Sequence, residues 1–383
     1  MKHLAGRARY GVPAVAVLAV GAAALVPTLS GASAPPDLAS LSAAQLLAGI
    51  ATAQPPQLSG SLTWTANLGL SDLSTLEGAA GQSSGGSGLG TSGFDPLTLL
   101  SGSYEIDVWL DGAKAEHLAL DLPSAEEVDL VRNGAQAWLW DSSTNTATHL
   151  VGAPAAGASP TAPPSAPTGP ALTPQQLASR FLSHVSANTS VTTGDPLYVA
   201  GQPAYQLIVA PKSAPGSTID HIGIDIGASG ALLGVPLQVA IYAQGQVAAA
   251  LQLGFTGALH LGTPPAAELN FTPPPGARVV THTLAANGDG WFSDQPAGSG
   301  QVSDLHKTGT GWATVVTGTS SELVDQGQQG LLSEGATVVQ FDGRDGRLFS
   351  TDLLNVLIMP DGQFFAGLVT PAVLEAAASS TTS

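Results

Sequence analysis

The chain has 383 residues, 28 of them acidic and 11 basic, for a formal net charge of −17, and only 10% of its residues are charged. That balance excludes a basic nucleic-acid footprint and a polybasic membrane patch, so no nucleic-acid partner is expected. The absence of cysteine excludes disulfides, thiolate metal sites, cysteine nucleophiles and a lipoprotein-type lipid anchor.

The first 34 residues read as an export signal. Lys2, Arg7 and Arg9 form a positive region, residues 11–29 are uncharged and apolar, and Ala32-Ser33-Ala34 is a small-residue cleavage site. Cleavage after Ala34 is expected, with Pro35 shifting the site by a few residues. The other reading is an uncleaved N-terminal anchor, because the apolar run approaches the lower limit for a membrane span. Either way the expected location is secreted or in the extracytoplasmic cell envelope.

Leu41, Leu46, Leu47 and Ile50 recur near helical spacing behind Ser42, a candidate N-cap, so a short amphipathic helix is predicted over 41–53. Pro55-Pro56 ends it. Strict alternation follows: Leu58, Leu62, Trp64, Ala66 and Leu68 point one way, and Ser59, Ser61, Thr63, Thr65 and Asn67 the other. This is a long half-buried strand. A helix leading into such a strand suggests a helix laid on the apolar face of an antiparallel sheet.

Residues 71–100 contain a Gly/Ser tract and read as a flexible loop. A phosphate-binding loop is not indicated, because neither a GK[ST] triplet nor a clear helix follows. Tyr104, Ile106, Val108 and Leu110 then share a strand face, and Asp111-Gly112 makes a hairpin turn. Leu118 to Leu122, Glu127 to Arg132 and Ala135 to Asp141 continue the meander through an Asn133-Gly134 turn, with Trp138 and Trp140 on one side of their strand.

Residues 151–172 are a Pro/Ala/Gly/Ser tract, a second flexible loop. Thr173 and Pro174 start a helix whose stripe is Leu177, Phe181 and Val185. Alternation returns at Tyr205–Val209, Ile222–Ile226 and Leu237–Ile241, and continues from Val247 to Leu261 after a turn at Gly245. The stretch 265–280 closes this region, its three consecutive prolines barring helix and central strand.

Polar, glycine-rich residues 281–300 read as a linker. Residues 301–383 read as a small α+β domain. Its expected strands are Trp312–Thr317, Thr337–Phe341, Leu348–Leu353, Val356–Met359 and Phe364–Val369, with a short helix at 322–332 and a last helix from Pro371 to Ala378. The fold class is therefore α+β, mostly antiparallel β.

Chemistry is sparsely signalled. The eight histidines form no HxxxH or HExxH pair; His117 and His221 fall on the polar side of their strands and are expected at the surface. No G-x-S-x-G elbow lies between a strand and a helix. Asp342 and Asp345 in FDGRDGR lack the remaining ligands of a calcium loop and read as two turns. Glu126, Glu127 and Asp129 read as a solvated strand edge. No catalytic residue, metal or cofactor is expected.

Trp64, Trp138 and Trp140 share faces with aliphatic residues, and ordinary core explains each of them. Many strands nevertheless offer apolar faces, and only the helices at 41–53 and 174–187 are available to cover them. An unfilled apolar cavity for an acyl chain is the functional expectation.

The order of elements adds a resemblance. The initial helix, SGSLTWTANLGL, the meander with AQAWLWD, TPQQLASRFLSHV, AGQPAYQLIVAPK and NFTPPPGARV together resemble the LolA-like family of exported bacterial proteins. That family includes lipoprotein carriers, lipid-carrying mycobacterial-type lipoproteins and RseB/MucB regulators of envelope stress. The likeness covers about Leu38 to Arg278, within an expected LolA-like domain of residues 35–280, and LVTPAVLEAAA resembles the small second domain of the RseB type. It implies an unclosed half-barrel wrapped around helices, with an apolar groove for lipid or lipoprotein acyl chains and no catalysis. The candidate groove residues are Leu62, Trp64, Leu68, Ile106, Val108, Trp138, Trp140, Leu177 and Phe181. The partner it implies is a lipid or an acylated lipoprotein; the alternative is a membrane-anchored anti-sigma regulatory protein.

Overall fold

The computed structural model describes residues 34–69, 99–122, 126–134, 136–151, 188–283, 306–319, 336–341 and 343–380, and Pro35–Ser383 forms one compact unit. The expected export signal, almost all of both glycine- and proline-rich loops, the helices expected at 174–187 and 322–332, and most of the expected linker lie outside the described residues.

Helix α1 (Ala43–Thr52) starts as its sequence requires. The Ser42 hydroxyl accepts from the Gln45 backbone N–H at 3.3 Å, and Gln45 Oε1 accepts from the Ser42 N–H at 2.8 Å, a reciprocal capping box. Its buried residues are Leu46, Leu47 and Ala48.

Strand β1 (Gln57–Asn67) is the middle of a large sheet. On one side β2 (Ser101–Asp111), β3 (Ala115–Asp121), β4 (Glu127–Asn133), β5 (Gln136–Asp141) and β6 (Thr146–Val151) follow as an antiparallel meander. On the other side β12 (Leu251–Phe255), β11 (Pro236–Ala243), β10 (Ile219–Gly227), β9 (Gln202–Pro211) and β7 (Thr189–Thr193) run outward in reverse chain order. Two short strands, β8 (Leu197–Val199) and β13 (His260–Leu261), pair with β9 and β1. Strand β14 (Arg278–Thr283) adds to β6 in parallel. Among the described residues the end strands β14 and β7 do not meet, so the sheet is unclosed.

The turns are the ones their residues favour. Gly112, Gly134 and Gly245 all hold positive φ, at Asp111-Gly112, at Asn133-Gly134 and at the β11–β12 turn. One expected strand is shorter than its alternation suggests. The chain turns at Gly245 and regains register only at Leu251. Val247, expected on the apolar face, therefore sits at the tip of the turn and is 96% exposed.

A second sheet has the order β15 (His306–Thr308), β16 (Val315–Thr319), β20 (Gln363–Gly367), β19 (Asn355–Ile358), β18 (Arg344–Ser350) and β17 (Thr337–Phe341). Residues 311–313 form a turn of 3-10 helix, so the strand expected from Trp312 begins at Val315. Asp345 lies within β18 and not in a turn. Helix α2 (Pro371–Ser380) places Leu374 and Ala378 in a core with Val315, Leu357, Met359, Phe365 and Val369.

The two sheets are joined through both backbone and core. The Thr218 hydroxyl donates to the Leu353 carbonyl at 2.6 Å, and the Asp352 N–H to the Leu68 carbonyl at 2.9 Å. Leu353 packs with Leu68, Ile219, Ala243 and Ala250 in one buried cluster, against which Trp312 also packs.

Candidate functional site: the aliphatic face of the large sheet

Residues directly opposite in a sheet share a face, so the register sorts every side chain. Trp64 stands opposite Tyr104 and Leu253, Leu62 opposite Ile106 and Phe255, Leu253 opposite Val239, and Val239 opposite Ile224. These residues form one continuous aliphatic face. None of its paired positions in β2, β1, β12, β11, β10 and β9 is charged.

Packing on this face is uneven. At one end Leu58, Val108, Leu232, Leu237 and Phe255 belong to a buried cluster. At the other end lies the cluster around Leu68 and Leu353. Helix α1 sets Leu46 and Leu47 against Leu207 and Ile226. Between them Leu62, Trp64, Ile106, Ile224 and Leu253 are half-buried and Val239 is 36% exposed. The Trp64 indole N–H donates to the Leu99 carbonyl at 2.7 Å. Beside the Leu68 end, a cavity of about 460 Å³ is lined by Ala66, Leu68, Leu100, Gln246 and Asp352, among others.

The structure therefore brings together Leu62, Trp64 and Ile106, and buries Val108 and Leu68 in the flanking clusters. Leu177 and Phe181 lie outside the described residues. Trp138 and Trp140 are on the other face: Trp138 stands opposite Val131 and His149, and Trp140 opposite Asp129 and Ala147. In β5 it is Ala137 and Leu139 that share the face of Leu62. Alternation shows that two tryptophans lie together; only the hairpin register says which way they point. Val239, Leu253 and Ile224, which line the open stretch, were visible as alternating residues but could not be assigned to Trp64's face without that register.

The opposite face is polar and aromatic. Trp109 stacks on His117 with ring centroids 4.7 Å apart, and Trp138 on His149 at 4.0 Å. Phe271, from the proline-rich stretch after β13, lies over Trp138 and Trp140 at 5.5 and 6.2 Å. That stretch is held by Asn133 Nδ2, which donates to the Leu269 carbonyl, and by Asn145 Nδ2, which donates to the Gly276 carbonyl. His117, expected at the surface, is only 6% exposed, because the Trp109 ring lies against it.

Further along the same face, the Asp225 carboxylate accepts from Gln206 at 3.2 Å and from Gln238 at 3.0 Å. Burial pushes this carboxyl above its ordinary value, and the two amide hydrogen bonds offset part of the rise. Among the described residues no three histidines or carboxylates are arranged to hold a metal ion, and no helix is long and apolar enough to cross a membrane.

Neither a protein-family model nor the sequence of a curated protein matches the chain. Solved structures that resemble it include the MucA/MucB complex of Pseudomonas aeruginosa, at 14% identity and a TM-score of 0.40 over 88% of this chain and 96% of that one. A putative outer membrane lipoprotein-sorting protein domain from Vibrio parahaemolyticus matches at 7% identity and a TM-score of 0.17, over 83% of each chain. An uncharacterized conserved protein from Thermus thermophilus matches at 13% identity and a TM-score of 0.28, over 47% of this chain and 83% of that one.

Proposed function

We infer that the chain is an exported, non-enzymatic, LolA-like protein that binds lipid or lipoprotein acyl chains on the aliphatic face of its large sheet, as a carrier or chaperone in the cell envelope. One observation carries the reading. The face is continuous and uncharged across six strands, yet its centre around Leu62, Trp64, Ile106 and Val239 stays accessible between packed ends. Burying one methylene is worth about 0.8 kcal/mol. Ten methylenes covered on such a face supply about 8 kcal/mol, the scale of micromolar binding, without a charged anchor.

The test is native mass spectrometry, with organic extraction, of the protein purified from its own host. Co-purifying lipid or acylated peptide supports the reading and shows the ligand class. A protein that carries no ligand and takes up no fluorescent fatty acid overturns it. A membrane-anchored protein recovered without lipid would point instead to regulation of an anti-sigma partner.

A further inference from the structure

The aliphatic face changes character one row beyond Trp64. Where that row sets Trp64 opposite Tyr104, the next sets Ala66 opposite Gly102. These small residues leave room above them, and both line the cavity of about 460 Å³. That volume suits part of a small molecule. Gln246 and Ala248, on either side of the exposed Val247 at the tip of the β11–β12 turn, line it as well.

The polar lining is Asn67, Ser101, Gln246 and Asp352. Asp352 is set into the wall by the backbone that follows β1. Its N–H donates to the Leu68 carbonyl at 2.9 Å. Its carboxylate fills the space that a side chain at Gly69 would need, since a Cβ added there would lie 2.8 Å from Oδ1. Among the described residues that line the cavity there is no lysine, arginine or histidine.

This set of groups discriminates between head groups. A phosphate or carboxylate would meet a carboxylate and no base. An ammonium group donates hydrogen bonds but accepts none, so it would make no use of the amide N–H groups. A hydroxyl both donates and accepts. One carboxylate, two amides and a serine hydroxyl therefore suit a group that presents several hydroxyls.

We propose that this cavity holds the head group of the lipid whose chain lies on the aliphatic face, and that the head is an uncharged polyol, a sugar or glycerol. The inference rests on the acyl-chain reading and gives the ligand a direction. The head sits at Asp352, and the chain runs from Ala66 past Trp64 towards Leu62 and Phe255.

The test is calorimetric titration of the full protein with decyl glucoside, decanoate and decylamine, each below its micelle-forming concentration, and with glucose alone. The glucoside is expected to bind at least about tenfold more tightly than the other two decyl compounds, and glucose alone not measurably. Asp352→Ala is expected to weaken the glucoside by about tenfold and to leave decanoate no weaker. Trp64→Ala should weaken all three decyl compounds alike, because it acts on the chain. Equal affinity for the three decyl compounds overturns the head-group inference and leaves the acyl-chain reading standing; binding of none overturns both. Glucose that binds as tightly as the glucoside overturns the inference in favour of a free-sugar site, and decylamine that binds more tightly overturns it in favour of a cationic head. If Asp352→Ala misfolds, Gln246→Ala on the exposed turn carries the test, with the glucoside alone expected to weaken by about threefold or more. A preference for the glucoside that survives these changes intact also overturns the inference.

Discussion

Trp64 and Trp138 lie on opposite faces of one sheet, although paired strands run without a break from β1 through β2, β3 and β4 to β5. Ligand in the groove should therefore be felt by one and not the other. Trp64→Ala removes a large apolar surface worth about 1.5–3 kcal/mol, and uptake of a fluorescent fatty acid should weaken by roughly 10- to 100-fold. Trp138→Phe should leave uptake within about twofold. Equal losses in the two titrations would contradict the assignment of binding to the aliphatic face.

Asp225 links stability to pH. Its native carboxyl holds a proton more tightly than the same group in the unfolded chain, whose ordinary value is 3.8. The native state thus binds more protons between those two values, and stability falls as pH rises through that interval. Above it the cost of a buried carboxylate is constant. Asp225→Asn removes this cost and keeps hydrogen bonding to Gln206 and Gln238. The variant should be more stable than the parent at pH 7, with the difference shrinking as pH falls towards 3.8. Urea midpoints measured across pH check this; a difference that stays constant with pH would refute it.

Helix α1 approaches the β10–β11 connection backbone to backbone at Gly234. That residue holds φ +79°, and an added Cβ would lie 2.5 Å from the Gly49 carbonyl oxygen. Gly234→Ala combines a left-handed backbone with a clash that no side-chain rotation relieves, and should cost about 2–4 kcal/mol. Gly201 has nearly the same φ, +74°, with nothing within 4 Å of its Cβ position. Gly201→Ala should cost only about 1–2 kcal/mol. Denaturant midpoints at unchanged slope separate the two.

Leu353 lies in the connection between β18 and β19 of the second sheet, yet packs with Leu68, just past β1, and with Ile219 of β10. Leu353→Ala opens a cavity in that shared cluster and should cost about 2–5 kcal/mol. Unfolding followed by circular dichroism and by tryptophan fluorescence should coincide in the parent and separate in the variant, because the sheets lose part of what couples them.

Much of this fold could be read from residue order, for local reasons. The Ser42 capping box, the alternation of Leu58 to Leu68 and the Asp-Gly and Asn-Gly turns are decided within a few residues, and each appears as expected. What alternation cannot carry is the direction of a face. Size and apolarity alone suggest Trp138 and Trp140 as lining; in β5 the register sets Ala137 and Leu139 on the face of Leu62, and the two tryptophans on the other. His117 falls on the polar side of its strand, which suggests the surface, but the ring that covers it, Trp109, comes from another strand. Strand β14 has no local signal for a related reason: its pairing with β6 in parallel depends on a return of the chain across more than a hundred residues.

The central position of β1 has a consequence for how the molecule is made. Thr63 and Thr256, whose hydroxyls meet at 2.9 Å, are 193 residues apart in the chain. The first half of the sheet therefore waits, with one side of β1 unpaired, until β12 has been supplied, and β6 waits longer still for β14. Contacts this distant make for slow folding. A chain emerging N-terminus first from a translocation pore would be unable to pair the second side of β1 until its first two thirds had emerged. β12 is thus the strand that joins the two halves of the sheet.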